Sequence, residues 1–212
     1  MTNKTTKKPS NGKPIDSTPA VPARALVDTG INRLNRDRAV APLAAGLAEA
    51  PKMYETENDI SQQRRLEINA LLNQRLADAV DLQMQMKQAH WNVKGPSFIG
   101  LHELFDKVSE AVEDYVDKIA ERIAQLGGIA EGTVRAAAGR TRLEEYPLAI
   151  ADGLAHVEAV ARALSTFGRE ARNTIELADT LNDADTADLF TEVSRGIDKW
   201  LWFVEAHSQA TK

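Results

Sequence analysis

Two long stretches of helical periodicity, joined by a short break, constrain this chain more than any other feature of its sequence. From Ser61, a residue type that caps helices, apolar residues recur at about 100° per residue as far as Val93. Residues 94–97, Lys-Gly-Pro-Ser, interrupt the pattern, and a second one runs from Phe98 to Leu126 before two glycines end it. The two stretches predict a helical hairpin, formed by helix A and helix B.

The second half of the chain predicts another helical pair. Residues 129–146 have no clean period and form a long connection with room for a short helical turn. Pro147 is expected to open helix C, and helix D follows the turn 182–185. Each helix has a stripe of apolar residues along one face, which is expected to face the core. In helix C the stripe consists of Ile150, Leu154, Val157, Ala161, Leu164 and Ile175. In helix D it consists of Leu189, Val193, Ile197, Trp200 and Val204. Four long helices with a long B–C crossing, and no competing strand pattern, predict an all-α four-helix bundle of ferritin-like connectivity.

The N-terminal part differs in composition from the rest. Residues 1–40 hold eight Lys or Arg against three Asp, a formal charge of +5, although the whole chain carries −5. Because residues 1–58 also hold most of the prolines and no sustained apolar period, we expect a flexible basic tail, with one short helix near 40–50, before a bundle domain at 59–212. If the tail binds DNA, we expect four lysines to contact the phosphates, namely Lys4, Lys7, Lys8 and Lys13. A solubilising tail without a partner explains the same charge.

Several classes of protein are excluded by what the chain lacks. It has no cysteine, which removes disulfides, thiolate metal sites, iron–sulfur clusters and cysteine nucleophiles. No apolar run approaches the roughly 18 residues of a membrane helix, and the N-terminus has no apolar middle typical of a secretory signal. We therefore expect a cytoplasmic protein without a membrane partner, in which any metal is bound by His, Asp or Glu.

Helix B has one apolar half and one half that combines a histidine with carboxylates. Relative to His102, the side chains of Asp106, Asp117 and Glu121 lie at about 40°, 60° and 100° around the helix. The pairs His102/Asp106 and Asp117/Glu121 both have the i, i+4 spacing that sets two ligands side by side. Imidazole combined with carboxylate suits ferrous iron. Three further acids of this half are taken as ordinary solvated residues, namely Glu110, Glu113 and Asp114.

One helix cannot unite the two pairs, because the rise from His102 to Glu121 is about 28 Å and a metal bond is about 2 Å. An antiparallel copy of helix B from a second chain would unite them twice per dimer, and His90, near the A–B turn, is placed to join. A metal pair inside one chain needs Glu-x-x-His on two helices. The residues three before each histidine are Lys87, Ile99, Gly153 and Val204, so that alternative is excluded. His156 and His207 have no acidic partner at ligand spacing and are taken as structural.

The sequence resembles a known family over about residues 52–209. Residues 87–128, KQAHWNVKGPSFIGLHELFDKVSEAVEDYVDKIAERIAQLGG, are similar to the signature of the Dps family, the DNA-binding proteins from starved cells, and DKWLWFVEAH is similar to their last helix. The resemblance implies a hollow homododecamer that oxidises Fe(II), preferably with hydrogen peroxide, stores ferric mineral and protects DNA. The implied ferroxidase ligands are His90, His102 and Asp106 of one subunit with Asp117 and Glu121 of its mate. Trp91 matches a family tryptophan that is thought to trap stray oxidising equivalents beside this centre.

The resemblance also implies an entry route for iron. Family members admit iron through acidic three-fold pores near the start of the last helix, which corresponds here to Asp183, Asp188 and Glu192. The alternative is that Asp183 or Asp185 caps helix D and that Asp188 favours its dipole.

A second tryptophan of helix D bears on assembly. Trp202 lies about half a turn from the Trp200 stripe, so helix D is apolar on two sides and predicts a subunit interface. A lone surface tryptophan is the alternative. Three classes of function then compete, namely a peroxide-consuming ferroxidase and iron store, a nucleoid-binding protein acting through the tail, and an inert helical assembly.

Overall fold

The computed structural model describes residues 52–209, and this part of the chain contains five helices and no strand. The helices are α1 (Gln62–Asn92), α2 (Phe98–Gln125), α3 (Val134–Arg140), α4 (Gly153–Thr180) and α5 (Ala184–Gln209). Helix α1 packs along α2, α4 packs along α5, and contact between α1 and α4 joins the two hairpins around one apolar core. The short α3 lies in the crossover between the hairpins. The predicted all-α bundle with a long crossover is confirmed.

Helix α4 starts later than the sequence predicts, whereas the other long helices agree with their predicted bounds to within about two residues. The prediction that Pro147 opens this helix is wrong, because α4 begins at Gly153 behind Asp152. The Asp152 carboxylate accepts hydrogen bonds from the N–H groups of Leu154 and Ala155, at 3.0 and 3.3 Å. A proline at the start of a helix accepts no hydrogen bond from the unpaired backbone N–H groups of the first turn, whereas the Asp152 carboxylate accepts two. Leu154 is exposed rather than part of the core stripe.

One side of α1 is polar yet buried, because it binds the backbone of the crossover. The hydrogen-bonded pairs, at 2.8–3.4 Å, are Asn69 with Leu126, Asn73 with Ile129 and Glu131, Gln74 with Arg140, Asp78 with Arg142, and Gln85 with Glu144. Because side chains of α1 satisfy the backbone groups of the crossover, this segment stays in place without an apolar period of its own. The short helical turn expected within residues 129–146 is α3.

A buried ion triad crosses the bundle from α1 to α4. The Arg75 guanidinium, 2% exposed, lies 2.6 Å from Glu170 Oε2 and 3.2 Å from Asp78 Oδ2. Burial raises the pKa of the Asp78 carboxyl, and the charge of Arg75 opposes that rise. A single arginine therefore compensates two carboxylates in the interior.

The last residues of the predicted tail lie against the bundle. The Tyr54 backbone N–H donates to the Gly127 carbonyl at 2.7 Å, and the Asn69 amide donates to Met53 Sδ at 3.5 Å. Gly127 has a φ of 77°, which the turn after α2 requires and which glycine adopts without strain. The predicted helix near 40–50 and the rest of the tail lie outside the described residues. Within residues 52–209, no helix is long and apolar enough to cross a membrane.

The two tryptophans of α5 differ in burial. Trp200 is half-buried against the core, whereas Trp202 is 62% exposed in the single chain. Phe203 lies between them and makes edge contacts with both rings, at centroid distances of 5.6 and 4.9 Å. One chain leaves the Trp202 side of α5 uncovered, so the interface expected on this side remains a prediction.

Candidate metal centre

Two histidines meet where α1 ends and α2 begins. The segment 93–97 reverses the chain with Gly95 at a φ of 110°, a conformation that residues with a Cβ rarely adopt. This turn stacks the His90 and His102 rings, with centroids 3.7 Å apart and planes 20° apart. Phe98 continues the column, with its ring centroid 5.1 Å from that of His102.

Both imidazoles are held in one tautomer by a reciprocal pair of hydrogen bonds. His90 Nδ1 lies 2.8 Å from the His102 carbonyl oxygen, and His102 Nδ1 lies 2.9 Å from the His90 carbonyl oxygen. Because a carbonyl only accepts, each Nδ1 must carry the proton and donate it. The lone pair is therefore on Nε2 in both rings, and hydrogen-bonded Nδ1 with a free Nε2 is the usual arrangement of a metal-binding histidine.

The Asp106 carboxylate lies beside this pair and forms an ion pair with Lys87, which the sequence did not predict. Its Oδ1 lies 3.9 Å from His90 Nδ1 and is hydrogen-bonded by the Lys87 ammonium. The hydrogen bond from Lys87 holds the pKa of the Asp106 carboxyl below its usual range. The Asp106 carboxylate is thus ionised, and Lys87 occupies one of its oxygens. Lys87 precedes His90 by three residues on the same helix, a position from which a side chain reaches the same face.

The other predicted pair lies towards the opposite end of α2. Asp117 and Glu121 are both exposed on one side of the helix, away from the stacked histidines. The chain brings together His90, His102 and Asp106 but not the second pair. Within residues 52–209 of a single chain, no three His, Asp or Glu side chains form a group able to hold a metal ion.

The indole beside the histidines is open to solvent. Trp91 follows His90 directly and is 61% exposed, so an oxidant can reach it from outside the chain. The radical-trapping role implied by the resemblance remains a prediction.

Two of the three acidic residues proposed for a pore, Asp183 and Glu192, have partners on α2. Asp183 is buried, lies 2.6 Å from an Arg122 guanidinium nitrogen, and accepts the Thr186 N–H at 3.1 Å. It therefore caps α5, as the alternative interpretation of the sequence stated. Glu192 lies 2.6 Å from Lys118 Nζ, and Asp188 is exposed. A pore requires several chains, so the assignment of Asp183, Asp188 and Glu192 to one remains a prediction.

The remaining histidines have local partners. His207 Nδ1 lies 2.9 Å from the Phe203 carbonyl within α5, whereas His156 is buried and lies 2.6 Å from the Tyr146 hydroxyl. Within residues 52–209 neither belongs to a group of three or more His, Asp or Glu side chains able to hold a metal ion, and the structural role expected for both remains a prediction. The tail lysines predicted to contact DNA, Lys4, Lys7, Lys8 and Lys13, lie outside the described residues.

Comparison with known proteins gives a consistent set of relatives. A family model for a ferritin-like domain matches residues 69–212. The DNA protection during starvation protein of Agrobacterium fabrum is 40% identical over 158 residues, which cover 74% of this chain and 98% of that protein. Its counterpart in Mycolicibacterium smegmatis is 33% identical over 151 residues, covering 71% of this chain and 82% of that protein. Among solved structures, DpsA14 from Streptomyces coelicolor is 32% identical with a TM-score of 0.72, covering 77% of this chain and 96% of that chain. The family match includes every candidate ligand on α1 and α2.

Proposed function

The chain belongs to the Dps family of ferritin-like proteins, and from this premise we propose that it is a ferroxidase that completes its metal site with a second copy of itself. One observation carries the proposal. A single chain holds two separate half-sites, the stacked histidines with Asp106 at one end of α2 and Asp117 with Glu121 towards the other. Two copies of α2 related by a two-fold axis would join unlike halves at both ends.

The donor set fits ferrous iron, which is the substrate of the proposed reaction. Two imidazole Nε2 atoms and three carboxylates match the nitrogen and oxygen ligands that this ion accepts. The reciprocal Nδ1 hydrogen bonds fix the direction of each imidazole lone pair before iron arrives, so little ordering is left to the binding step. Lys87 balances the charge of Asp106 and must leave when a ferrous ion replaces it.

The reaction follows from electron counting. Two ferrous ions give two electrons to one hydrogen peroxide, which takes up two protons and becomes two waters. Because both electrons arrive together, no hydroxyl radical is released. The protein contributes the position and charge of the ligands, while iron contributes the redox chemistry.

Assembly into a hollow homododecamer that stores the ferric product is the second part of the proposal. The single chain exposes large apolar side chains at Ile99, Val134 and Trp202, and such side chains are usually covered in an assembly. Closed two-fold and three-fold symmetry would place Asp188 and its acidic neighbours around an iron entrance. We propose a cytoplasmic location, near the nucleoid if the tail binds DNA.

The proposed function is tested by iron oxidation and by particle mass in the same preparation. Ferrous iron is added anaerobically to the full-length protein, peroxide follows, and the ferric product is measured by absorbance. We expect two irons oxidised per peroxide, and light scattering should give a mass of about twelve chains. A monomer, or one iron oxidised per peroxide with release of hydroxyl radical, contradicts the proposal. An assembly that oxidises no iron would support the inert helical alternative.

Replacing Lys87 with glutamine is expected to tighten ferrous binding, because iron no longer competes with an ammonium for Asp106. Both side chains are about one-third exposed, and an ion pair of this kind is worth at most about 1 kcal/mol, so the expected gain is up to about fivefold. Anaerobic calorimetric titration measures it. Lys107→Gln removes the same charge from an exposed position on α2 and is the matched control. Equal gains in the two variants would mean that only net charge matters.

Removal of the tail lysines is expected to weaken DNA binding, if DNA is a partner. Several tails on one shell would multiply weak phosphate contacts through effective concentration. We expect Lys4, Lys7, Lys8 and Lys13 changed together to glutamine to abolish gel retardation at low salt. A variant with residues 1–15 in scrambled order keeps the charge and should bind like the original chain. Unchanged retardation by the glutamine variant would show that the tail is not the binding element.

A further inference from the structure

A buried tyrosine–histidine pair stands next to the proposed ferroxidase half-site and has no part in ligand binding. Tyr146, in the crossover, is 7% exposed, and His156, in the first turn of α4, is 1% exposed. The Tyr146 hydroxyl and His156 Nδ1 are 2.6 Å apart, a short hydrogen bond. Neither residue can exchange this contact for water without opening the fold.

The pair consists of a neutral phenol and a neutral imidazole. Burial raises the pKa of the Tyr146 hydroxyl and lowers the pKa of the His156 imidazole. The phenol therefore donates and the imidazole accepts. The backbone carbonyls of Asn92 and Ile150 lie beside the imidazole and favour its protonated form. His156 can thus take a proton from Tyr146 along a hydrogen bond that already exists.

The pair is close to the iron ligands on two sides. The Asn92 carbonyl beside His156 belongs to the last residue of α1, two residues after His90. The Phe105 ring, three residues after His102 on α2, has its centroid 6.5 Å from that of His156. The pair is therefore linked to the half-site through residues of α1 and α2 that adjoin the candidate ligands.

The other two tyrosines of the chain lack these features. Tyr54 is exposed, with the Lys52 ammonium over its ring at a distance of 4.9 Å from the centroid. Tyr115 is nearly as buried as Tyr146, yet no hydrogen bond to its hydroxyl is found within residues 52–209. Among the three, Tyr146 alone combines burial with an imidazole that can accept its proton.

We propose that Tyr146 gives the second electron to peroxide when a site holds a single ferrous ion. This inference rests on the ferroxidase function proposed above. Iron gives one electron and becomes ferric, and the Tyr146 phenol gives the other and becomes a neutral tyrosyl radical. The phenolic proton moves to His156 Nδ1. Peroxide takes both electrons with two protons from solvent, its O–O bond breaks, and two waters leave.

The radical is a temporary store for one oxidising equivalent. When a second ferrous ion binds, it gives one electron to the tyrosyl radical, and the proton returns from His156 to the phenol oxygen. The sum of the two steps equals the oxidation of two ferrous ions by one peroxide. Sites that receive their irons one after the other thus avoid releasing hydroxyl radical.

The test uses full-length assembled protein loaded anaerobically with one ferrous ion per site. Peroxide is added, the sample is freeze-quenched, and electron paramagnetic resonance is recorded beside the ferric absorbance. We expect a tyrosyl signal in the original chain and in Tyr115→Phe, and its loss in Tyr146→Phe. Further ferrous iron should discharge the signal. In Tyr146→Phe, hydroxyl radical captured by a spin trap should increase.

Two measurements keep this test independent of folding and of the ferroxidase proposal. Tyrosine with a deuterated ring, incorporated into the original chain, should change the line shape of the signal if the radical is a tyrosyl. At full iron loading, Tyr115→Phe, which leaves the proposed donor in place, should oxidise two irons per peroxide as the original chain does. Ferric product with no tyrosyl signal, or with an unchanged signal in Tyr146→Phe, overturns the inference, as does a radical located on Trp91. Absence of any ferric product in the original chain instead overturns the ferroxidase proposal.

Discussion

Replacement of His102 and Asp106 together by alanine is expected to leave a shell that no longer oxidises ferrous iron rapidly. Loss of one group that only supports a metal ligand costs about 10- to 100-fold in affinity or activity, so loss of two direct ligands should exceed 100-fold. Assembly should survive, because both side chains are part of a polar, partly exposed half-site rather than of the apolar core. Stopped-flow absorbance after peroxide addition measures the rate, and light scattering verifies the mass.

A control replaces two side chains of the same helix that are outside the ligand set. Glu110 and Glu113 are exposed on α2 and are outside the ligand set, so their replacement by alanine should leave the rapid phase intact. If this control loses as much activity as the His102/Asp106 variant, the effect is one of total charge on α2. The ligand assignment would then be wrong.

Replacement of Arg75 by methionine is expected to destabilise the bundle strongly. It leaves Asp78 and Glu170 without the cation that lies between them, and removal of one partner from a buried ion pair typically costs about 3–5 kcal/mol. The free energy of unfolding from guanidinium titration, at one fixed protein concentration, gives the value. Arg172→Met removes an arginine that lies 3.0 Å from Asp198 in an exposed pair, and should cost at most about 1 kcal/mol. Equal costs at both positions would contradict the account of the triad.

The loss in Arg75→Met is also expected to shrink as the pH falls. Burial already raises the pKa of Asp78 in the folded chain, and removal of the arginine takes away the largest of the contributions that oppose this rise. A folded state with the higher pKa binds more protons than the unfolded state, so its stability increases as pH falls through that pKa. Guanidinium titrations at a series of acidic pH values test the sign, and a loss independent of pH would contradict it.

The helices were predictable where local signals are strong. The first hairpin follows from periodicity, from the break at 94–97 and from the two glycines after α2. The start of α4 was not predictable, because Pro147 and Asp152 are both residues that commonly begin a helix. Only the packed structure shows that the helix begins after the Asp152 carboxylate cap. The crossover was predictable only as an irregular connection. Its backbone is satisfied by polar side chains of α1, and their partners are distant in sequence.

The candidate site was predictable in part for the same reason. His90, His102 and Asp106 lie on either side of a single turn, so helical geometry suffices to bring them together. The part that Lys87 plays was not predictable from the chemistry of metal ligands, because a lysine ammonium does not bind a metal ion, although its spacing from His90 places it on the same face. The Tyr146–His156 hydrogen bond joins two elements across the crossover, and no spacing rule predicts it.

The claim that each site is shared between two chains is tested most directly by mixing two inactive variants. One lacks His102 and Asp106, and the other lacks Asp117 and Glu121, each pair being replaced by alanine. In a mixed contact one site collects all four substitutions and the other keeps every ligand, so random co-assembly should restore about one quarter of the sites of the original chain. The variants are unfolded together and reassembled, and peroxide-driven iron oxidation is measured anaerobically. Recovery of about one quarter of the rapid phase is the predicted result, whereas mixed shells no more active than either variant alone would contradict a shared site.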